Sequence, residues 1–445
     1  MSASTGLLGY VAAIGFAASG AGLVFGLDRL VRGRRRSTNP GDVPIGSAGR
    51  KRPVSLGLDE LQQGVLIGGS PGAGKTNTLT VLEQGLPVGI GCLFIDLKGD
   101  RSLARNLGIP PERVFGLGDR ASAAWNPLEK GNPASWRDML MSTQEWSEPH
   151  YRQAAARYVG VVLQALQRIQ GTVELDDVVQ LLEQPARAKG LMRSLSDADG
   201  AVVERTANAI LGEPSLRSGV LGLGNRLALL RESPATDGRF GASGGIDLSA
   251  VLRGERVLFS LPAAEFPEEA PAIAAAVIQS FGAAGQRYAQ GDEELRAVLV
   301  IDEAARLGGE QLRQAIAIGR GAGIGTIVSV QDHADLDYVA DGTREAVETG
   351  ANTWITMRQV ASAEAIAMAF GSQTVKKVTK QRDSHRILFT DTGMRSEREV
   401  EEFRVSPNVI RGLGRGEAII WRRLRGGTVS RISVHPAASA TRPAA

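Results

Sequence analysis

Short apolar runs and longer amphipathic stretches alternate in the outer parts of the chain. An apolar run that ends in a polar residue is typical of a buried strand, whereas apolar residues at three- and four-residue spacing are typical of a helix packed on one face. Because strands separated by helices form parallel sheets covered by helices, this pattern predicts an α/β domain. The strand-like runs lie at 65–68, 91–96, 254–262, 297–302, 325–331 and 352–358, and the helical stretches at 270–290 and 309–323.

The middle of the chain shows helical patterns only. Residues 147–169 open with Ser-Glu-Pro, a typical helix start, and then carry one apolar stripe. Residues 173–184 and 201–212 repeat the stripe. The predicted domains are therefore a P-loop α/β domain of residues 57–128 and 254–434 and an all-α subdomain of residues 129–253 inserted into it.

The N-terminal segment has the pattern of a membrane anchor. Residues 6–27 contain no charged side chain, and such a run is long enough for a helix to cross a bilayer core of about 30 Å. The basic stretch RLVRGRRR follows it, which is the reverse of a secretory signal peptide and keeps the rest of the chain cytoplasmic. We predict a single-pass transmembrane helix at 1–28 in the inner (plasma) membrane, a basic flexible linker at 29–56 and a disordered tail at 435–445.

Composition narrows the choice of chemistry. The single cysteine, Cys92, excludes an internal disulfide, and the four histidines show no paired spacing that would suggest a metal site. The net charge is +3, but eight basic and two acidic residues lie between 28 and 56, so the remainder of the chain has a net charge of −3. Bulk charge therefore gives no argument for nucleic-acid binding. The basic stretch 376–386 is predicted as a loop that is either a contact for phosphates or a solvated surface, and no aromatic residues alternate with its basic ones.

A phosphate-binding loop follows the first strand of the α/β domain. The sequence GVLIGGSPGAGKTNTL contains the full G-x-x-x-x-G-K-[ST] motif between an apolar strand and a helical pattern. Its glycines let backbone N–H groups point at phosphate oxygens, Lys75 would reach the β- and γ-phosphates, and the Thr76 hydroxyl would bind Mg²⁺. We therefore predict ATP and Mg²⁺ as cofactors. The predicted nucleotide-binding residues are Gly69, Ser70, Gly72, Ala73, Gly74, Lys75, Thr76 and Asn77.

Two strands end in an aspartate that could complete the magnesium site. Asp302 is followed by Glu303, whereas Asp96 is followed by Leu97 and Lys98. Phosphoryl transfer to water needs one acid for the metal and a second to orient and deprotonate the water. The sequence therefore predicts Asp302 as the metal ligand and Glu303 as the catalytic base. Asp96 is left with two readings, a residue that orients groups at the site or a residue that forms a turn.

A polar residue, Gln331, ends the strand after Asp302. Such a side chain can sense the γ-phosphate, or it can make an ordinary turn contact at the end of a strand. The pattern does not decide between these two roles.

Taken together, the motifs resemble those of the type IV secretion coupling proteins, the conjugative transfer ATPases of the VirD4/TraG/TraD group within the HerA/FtsK class of P-loop motors. The resemblance covers about residues 5–425. It rests on GGSPGAGKT, FIDLKGDRSLARNL, GDRASAAWNPL, the helical insertion, VLVIDEAARLG, GRGAGIGTIVSVQDHADL and GANTWITMRQVASAEAIAMAFG.

The resemblance implies a RecA-like P-loop NTPase domain and a ring-shaped homohexamer with nucleotide between subunits. Gln331 then matches a strand-end sensor, and Arg320 matches the arginine offered to the γ-phosphate of the neighbouring subunit. The alternative for Arg320 is a cation at a helix end, and Arg358 is a weaker candidate for the same role.

The implied function is that of a membrane-anchored motor that passes DNA to a secretion channel. The expected cargo is single-stranded DNA with an attached relaxase, or a secreted protein. Two alternatives are a translocase of double-stranded DNA like FtsK and a membrane ATPase that recruits protein effectors. The family has two transmembrane helices where this sequence has one predicted anchor.

Overall fold

A computed structural model describes residues 41–184, 187, 197–289, 294–318, 321–382 and 391–438. The predicted anchor at 1–28 lies outside these residues, and no helix within them is both long enough and apolar enough to span a bilayer. The strands are β1 (Val43–Ala48), β2 (Arg52–Leu56), β3 (Val65–Gly68), β4 (Gly91–Asp96), β5 (Val114–Gly116), β6 (Arg256–Ser260), β7 (Ala297–Asp302), β8 (Ile324–Val330), β9 (Thr353–Thr356), β10 (Ser372–Arg382), β11 (Asp391–Phe403), β12 (Glu417–Arg422) and β13 (Thr428–Val434).

Helices cover the sheet and fill the middle of the chain. They are α1 (Leu58–Gln62), α2 (Lys75–Gln84), α3 (Leu103–Leu107), α4 (Pro133–Met141), α5 (Pro149–Gln170), α6 (Leu175–Glu183), α7 (Asp197–Leu211), α8 (Pro214–Glu232), α9 (Glu269–Ala289), α10 (Gly309–Ile318), α11 (Thr343–Gly350), α12 (Ala363–Phe370) and α13 (Pro407–Arg411).

One sheet organises the chain, with the strand order β2-β1-β13-β12-β9-β3-β8-β7-β4-β6-β5. Every neighbouring pair from β9 to β5 is parallel, and every pair from β2 to β9 is antiparallel. The predicted mostly parallel α/β fold is therefore confirmed, and four antiparallel strands extend its edge.

The central strands are buried on both faces. All positions of β3, β4, β7 and β8 are buried. Along β4, Leu93 and Ile95 belong to one apolar cluster, whereas Cys92 and Phe94 belong to another. Since successive side chains of a strand point to opposite faces, these two clusters are the cores on the two sides of the sheet.

Helices α4 to α8 form the layer inserted between β5 and β6. The apolar stripe of α5 buries Ala155, Tyr158 and Val162, and the Tyr158 hydroxyl donates a hydrogen bond to the Leu181 carbonyl at 3.2 Å. Helix α5 contacts α6, α7 and α8, and α4 packs against α9 of the α/β domain. The three helical stretches predicted at 147–169, 173–184 and 201–212 correspond to α5, α6 and α7.

Part of the predicted linker at 29–56 is wrong. Residues 43–56 form the hairpin of β1 and β2, which joins the sheet through the pairing of Gly46 with Val434 in β13. Val43, Ile45 and Leu56 are completely buried. The prolines of these strands suggested a linker, but Pro53 lies in the edge strand β2, one side of which needs no hydrogen-bond partner, and Pro44 lies at an irregularity in the pairing of β1 with β2.

The basic stretch 376–386 is also not a simple loop. Residues 376–382 belong to β10, which pairs with β11 in a separate two-stranded sheet. In that register the backbone of Lys376 lies opposite Glu399 and that of Arg382 lies opposite Asp391. Residues 383–390 lie outside the described part of the chain.

Candidate nucleotide site

The phosphate loop connects β3 directly to α2. Gly72 and Gly74 have φ angles of 76° and 111°, in the left-handed region that glycine adopts at little cost. Helix α2 begins at Lys75, and its first turn has neither a side-chain cap nor an acidic residue. The helix N-terminus therefore presents backbone N–H donors and the positive end of its dipole to a ligand of the loop.

Neighbouring strands hold the loop in place. The Gly69 N–H donates to the Val330 carbonyl at the end of β8 at 3.1 Å, and the Ser70 N–H donates to the Arg358 carbonyl beyond β9 at 2.7 Å. The Lys75 ammonium donates to the carbonyl of Gly69, which lies at the start of the loop. Burial lowers the pKa of Lys75, while the carboxylates of Glu303 and Asp302 act in the opposite direction.

The predicted acids lie beside the loop at the end of β7. Asp302 is buried, and its Oδ1 accepts a hydrogen bond from the Glu303 N–H at 3.0 Å. Glu303 has a φ angle of 60°, a left-handed conformation that is strained for a residue with a side chain. The Gln331 side-chain amide donates to Glu303 Oε1. The structure thus brings the predicted base and the predicted sensor into direct contact.

Together these elements form an open cleft of about 230 Å³, called here the nucleotide cleft. Of the predicted binding residues, Gly69 and Ala73 lie in the loop but not on the wall of the cleft, and Ala73 is buried. The cleft is lined by Ser70, Pro71, Gly72, Gly74, Lys75, Thr76, Asn77, Lys98, Asp302, Glu303, Gln331 and Arg415.

Asp96 forms a turn behind the cleft. Its carboxylate is completely buried and accepts hydrogen bonds from the N–H groups of Lys98 at 3.0 Å, Gly99 at 3.1 Å and Asp100 at 2.7 Å. Burial raises the pKa of Asp96 to about 6, Asp302 adds to the rise, and the three backbone donors oppose it. The geometry therefore favours the turn-forming reading of Asp96, and the turn that it forms carries Lys98 into the cleft.

Asn77 has a partner that its sequence context did not indicate. Its side-chain amide donates to the His435 carbonyl at 2.8 Å and accepts from the Ala437 N–H at 2.8 Å. Gln84, two turns along α2, makes the same pair of bonds with Ala438, both at 3.0 Å. Residues 435–438, called here the C-terminal clasp, are thus bound to α2. The predicted disordered tail is wrong for them, and residues 439–445 lie outside the described chain.

The two candidate arginines differ in what the structure describes. Arg320 lies outside the described residues. Arg358 contacts the phosphate loop of its own chain, since its guanidinium donates to the Pro71 carbonyl at 3.4 Å and its carbonyl accepts from Ser70. In this conformation Arg358 supports the loop in cis.

Two cations of the cleft, Lys98 and Arg415, were missed by the sequence reasoning. For Lys98 there was a signal, because it lies two residues after a strand that ends in an aspartate. For Arg415 there was none, because the chain returns to the loop only through the antiparallel part of the sheet.

The donor set fits a nucleotide with Mg²⁺. Magnesium takes oxygen ligands and is usually bound by one or two protein oxygens together with phosphates and water. Thr76 and Asp302 both line the cleft and carry a hydroxyl and a carboxylate that suit such a shell. The left-handed glycines, the open N-terminus of α2 and the Lys75 ammonium supply the complementary donors for phosphate.

The chain is similar to one known protein family and to several solved structures. Residues 296–414 match the family model described as the TraM recognition site of TraD and TraG. No curated protein sequence matches the chain. The unbound monoclinic form of the bacterial conjugative coupling protein TrwBdeltaN70 is 16% identical, covers 92% of both chains and has a TM-score of 0.68.

Two further solved structures are similar. The plasmid coupling protein TrwB in complex with ADP and Mg²⁺ is 15% identical, covers 94% of this chain and 93% of that one, and has a TM-score of 0.65. VirB4 of Thermoanaerobacter pseudethanolicus is 15% identical, covers 90% of this chain and 98% of that one, and has a TM-score of 0.51. The resemblance to the coupling proteins that the motifs indicated is confirmed by the family match and by the shared fold.

Proposed function

We propose that this protein is an ATPase of the coupling-protein type, which uses ATP hydrolysis to pass DNA towards a secretion channel. One observation carries the proposal: the phosphate loop, the two acids and Gln331 converge on one cleft. The fold that does this matches a conjugative coupling protein over nine-tenths of both chains. TrwB has been solved with ADP and Mg²⁺ and with a non-hydrolysable ATP analogue, which supports the assignment of ATP and Mg²⁺.

Each side chain of the cleft has a defined task in this proposal. Bound ATP with its Mg²⁺ supplies the phosphoryl group that is transferred to water. Lys75 neutralises charge on the phosphates, and Thr76 and Asp302 hold the metal. Glu303 orients the water and accepts its proton.

Gln331 acts by fixing the position of Glu303. Its amide donates to one carboxylate oxygen and leaves the other oxygen of Glu303 free to accept from water. The buried turn of Asp96 and the left-handed backbone of Glu303 hold the acids at the edge of the sheet.

The assembly around this cleft is part of the same proposal. The family resemblance supports a homohexamer in which Arg320 of one subunit reaches the nucleotide of the next. The uncharged segment 6–27 supports an anchor in the inner membrane, with the described domain in the cytoplasm. The DNA cargo, its relaxase and the channel components are inferred from the family match and from the name of the conjugative coupling protein.

Hydrolysis measurements on the full chain test the proposal. We expect Lys75→Ala and Glu303→Gln to lower kcat by about 100-fold or more, because each removes a group that acts in the transition state. Glu303→Gln should still bind ATP. Glu310→Gln serves as the matched control, because Glu310 is exposed and pairs only with its own helix among the described residues. A Lys75→Ala chain that hydrolyses ATP normally would contradict the assigned site.

The DNA part is tested separately by adding nucleic acids. We expect single-stranded DNA to raise the hydrolysis rate more than duplex DNA does. A larger response to duplex DNA would favour the FtsK-like translocase. No response to either would favour a motor for protein effectors and would contradict a DNA cargo.

A further inference from the structure

Two cations of the nucleotide cleft have no role in the mechanism above. Lys98 and Arg415 both line the cleft, both are exposed, and neither pairs with a described acid. The cleft wall carries three cations and only two carboxylates, Asp302 and Glu303. This excess of positive charge suits a polyanionic ligand.

Lys98 reaches the cleft on a turn that leaves it little freedom. The buried Asp96 carboxylate binds three successive N–H groups of this turn. Gly99 has a φ angle of 79°, and a Cβ there would lie 2.4 Å from Pro262 Cβ. The Leu97 N–H also donates to the Asp302 carbonyl at 3.3 Å. The start of the turn is thereby tied to the strand that ends in the metal-binding acid.

The surroundings of Lys98 place it on the side of the catalytic acids. Lys98 lines the same cleft as Lys75, Asp302 and Glu303. Asp96 and Asp302 lie directly opposite each other in the pairing of β4 with β7. The third phosphate of a nucleotide would be bound by Lys75 near Asp302 and Glu303, and Lys98, two residues after Asp96, lies on that side of the cleft.

Arg415 reaches the cleft from the other side of β3. It lies two residues before β12, whereas Lys98 lies two residues after β4, and these two strands lie on opposite sides of β3 in the sheet. The Gly416 N–H donates to the Ala73 carbonyl of the phosphate loop at 2.9 Å. A Cβ on Gly74 would lie 3.4 Å from the Gly416 nitrogen. The segment with Arg415 therefore rests on the backbone of the loop.

The end of β13 holds this segment from behind. The Val434 N–H donates to the Gly416 carbonyl at 2.8 Å, and the next residue, His435, begins the C-terminal clasp. The clasp binds Asn77, which lies in the first turn of α2. The backbone next to Arg415 is thus hydrogen-bonded both to the phosphate loop and to the end of β13.

We propose that Lys98 and Arg415 are further nucleotide-binding residues, supplied by the same subunit as the phosphate loop. Lys98 binds the terminal phosphate of ATP, and Arg415 binds the phosphates that ATP and ADP share. The inference rests on the proposed ATPase function. Two cations of the subunit that binds the nucleotide are thereby added to Arg320, the arginine that the family resemblance implies from the neighbouring subunit.

Nucleotide binding to the full chain tests this. The affinities for a non-hydrolysable ATP analogue and for ADP, both with Mg²⁺, are measured for Lys98→Gln and Arg415→Gln. We expect Lys98→Gln to weaken ATP-analogue binding at least 10-fold and ADP binding less than threefold. Arg415→Gln should weaken both about 10-fold, because charge-assisted hydrogen bonds to phosphate contribute more than neutral ones.

Matched variants separate binding from folding. Lys98→Arg and Arg415→Lys keep the charge and should stay within about threefold of the wild type. Lys130→Gln and Arg217→Gln remove exposed cations that do not line the nucleotide cleft and should leave both affinities unchanged. A loss of affinity that the charge-conserving variants do not restore, or that comes with a lower unfolding midpoint, would contradict a binding role.

Failure of the inference can be told from failure of the proposed function. If Lys98→Gln and Arg415→Gln bind both nucleotides as the wild type does while Lys75→Ala does not, only the inference is wrong. If Lys75→Ala also binds and hydrolyses ATP normally, the nucleotide site itself is misplaced. An equal loss of ATP-analogue and ADP binding in Lys98→Gln would overturn its assignment to the terminal phosphate.

Discussion

The two parts of the large sheet are built in different ways. The parallel part, β9-β3-β8-β7-β4-β6-β5, contains strands buried at every position, and its strand ends carry the phosphate loop, Asp302 and Gln331. The antiparallel part, β2-β1-β13-β12, joins the two ends of the described domain, and its strands mix buried, half-buried and exposed residues.

The two parts of the sheet contribute differently to the nucleotide cleft. In an open parallel sheet, ligands bind at the carboxyl ends of the strands, where the loops converge. The antiparallel part adds no acid to this edge, but it rests the Arg415 segment and the C-terminal clasp on the loop and on α2. The parallel part thus supplies the predicted phosphate loop and acids, and the antiparallel part supplies backbone contacts that support the loop.

Core packing gives the largest expected contrast between the two parts. Ile301 in β7 is completely buried, and Val434 in β13 is half-buried. We expect Ile301→Ala to lower the free energy of unfolding by about 2–5 kcal/mol, since it removes buried methyl groups and leaves a cavity. Val434→Ala should cost about 1 kcal/mol or less, because less apolar surface is lost. Urea unfolding measures both, and equal losses would contradict the contrast.

Helix α2 contacts both the antiparallel and the parallel part of the sheet, and its buried Glu83 gives the second prediction. Helix α2 packs against β1, and its buried Glu83 carboxylate pairs with Arg256 of β6. Burial raises the pKa of Glu83 from 4.5 to about 7, although Arg256 opposes the rise. Between pH 4.5 and 7 the folded state therefore binds more protons than the unfolded state, and stability falls as the pH rises.

Glu83→Gln removes this titration. We expect its stability relative to the wild type to increase by up to about 3 kcal/mol between pH 4.5 and 8, since one pKa unit corresponds to about 1.4 kcal/mol. Urea unfolding at several pH values measures the difference. Gln84→Ala, a non-titrating change on the same helix, is the control. A difference between Glu83→Gln and the wild type that does not vary with pH would rule out the raised pKa.

The third prediction concerns the C-terminal clasp, where we expect a local effect on the binding of residues 435–438 to α2. Asn77→Ala and Gln84→Ala each remove two hydrogen bonds to residues 435–438, so each should cost about 1–3 kcal/mol of clasp binding. Faster hydrogen exchange at Ala437 and Ala438 would report the release. If Asn77 also binds nucleotide, only Asn77→Ala should weaken ATP binding. Unchanged exchange in both variants would show that the amides do not hold the clasp.

Much of the site was accessible from sequence because its signals are local. The phosphate loop needs a strand, a glycine-rich turn and a helix within about a dozen consecutive residues, and all three are visible in the sequence. The acids were found because Asp302 and Glu303 are adjacent and follow an apolar run. Such features depend on neighbours along the chain, so tertiary contacts do not alter them.

Contacts between residues that are far apart in the sequence were not predicted. Asn77 was predicted as a nucleotide ligand and lines the cleft, and the structure adds a contact of its side chain with His435, 358 positions away. Residues 43–56 looked like a linker because the strand that pairs with them, β13, is at the other end of the chain. Pairing over such separations leaves no local pattern, since it depends on hydrogen bonds between backbones of any sequence.

The parallel α/β core, the phosphate loop and the acid pair could be predicted from the sequence. Buried strands and helices require apolar residues at regular spacing, and the loop requires glycines, and both signals lie in consecutive residues. The folded structure was needed to show that Asp96 forms a turn, that Lys98 and Arg415 face the cleft from opposite sides, and that residues 435–438 are bound to α2. The last two features arise from the order of strands in the sheet, which brings together residues that share no local pattern, whereas the Asp96 turn is local and was one of two readings that the sequence left open.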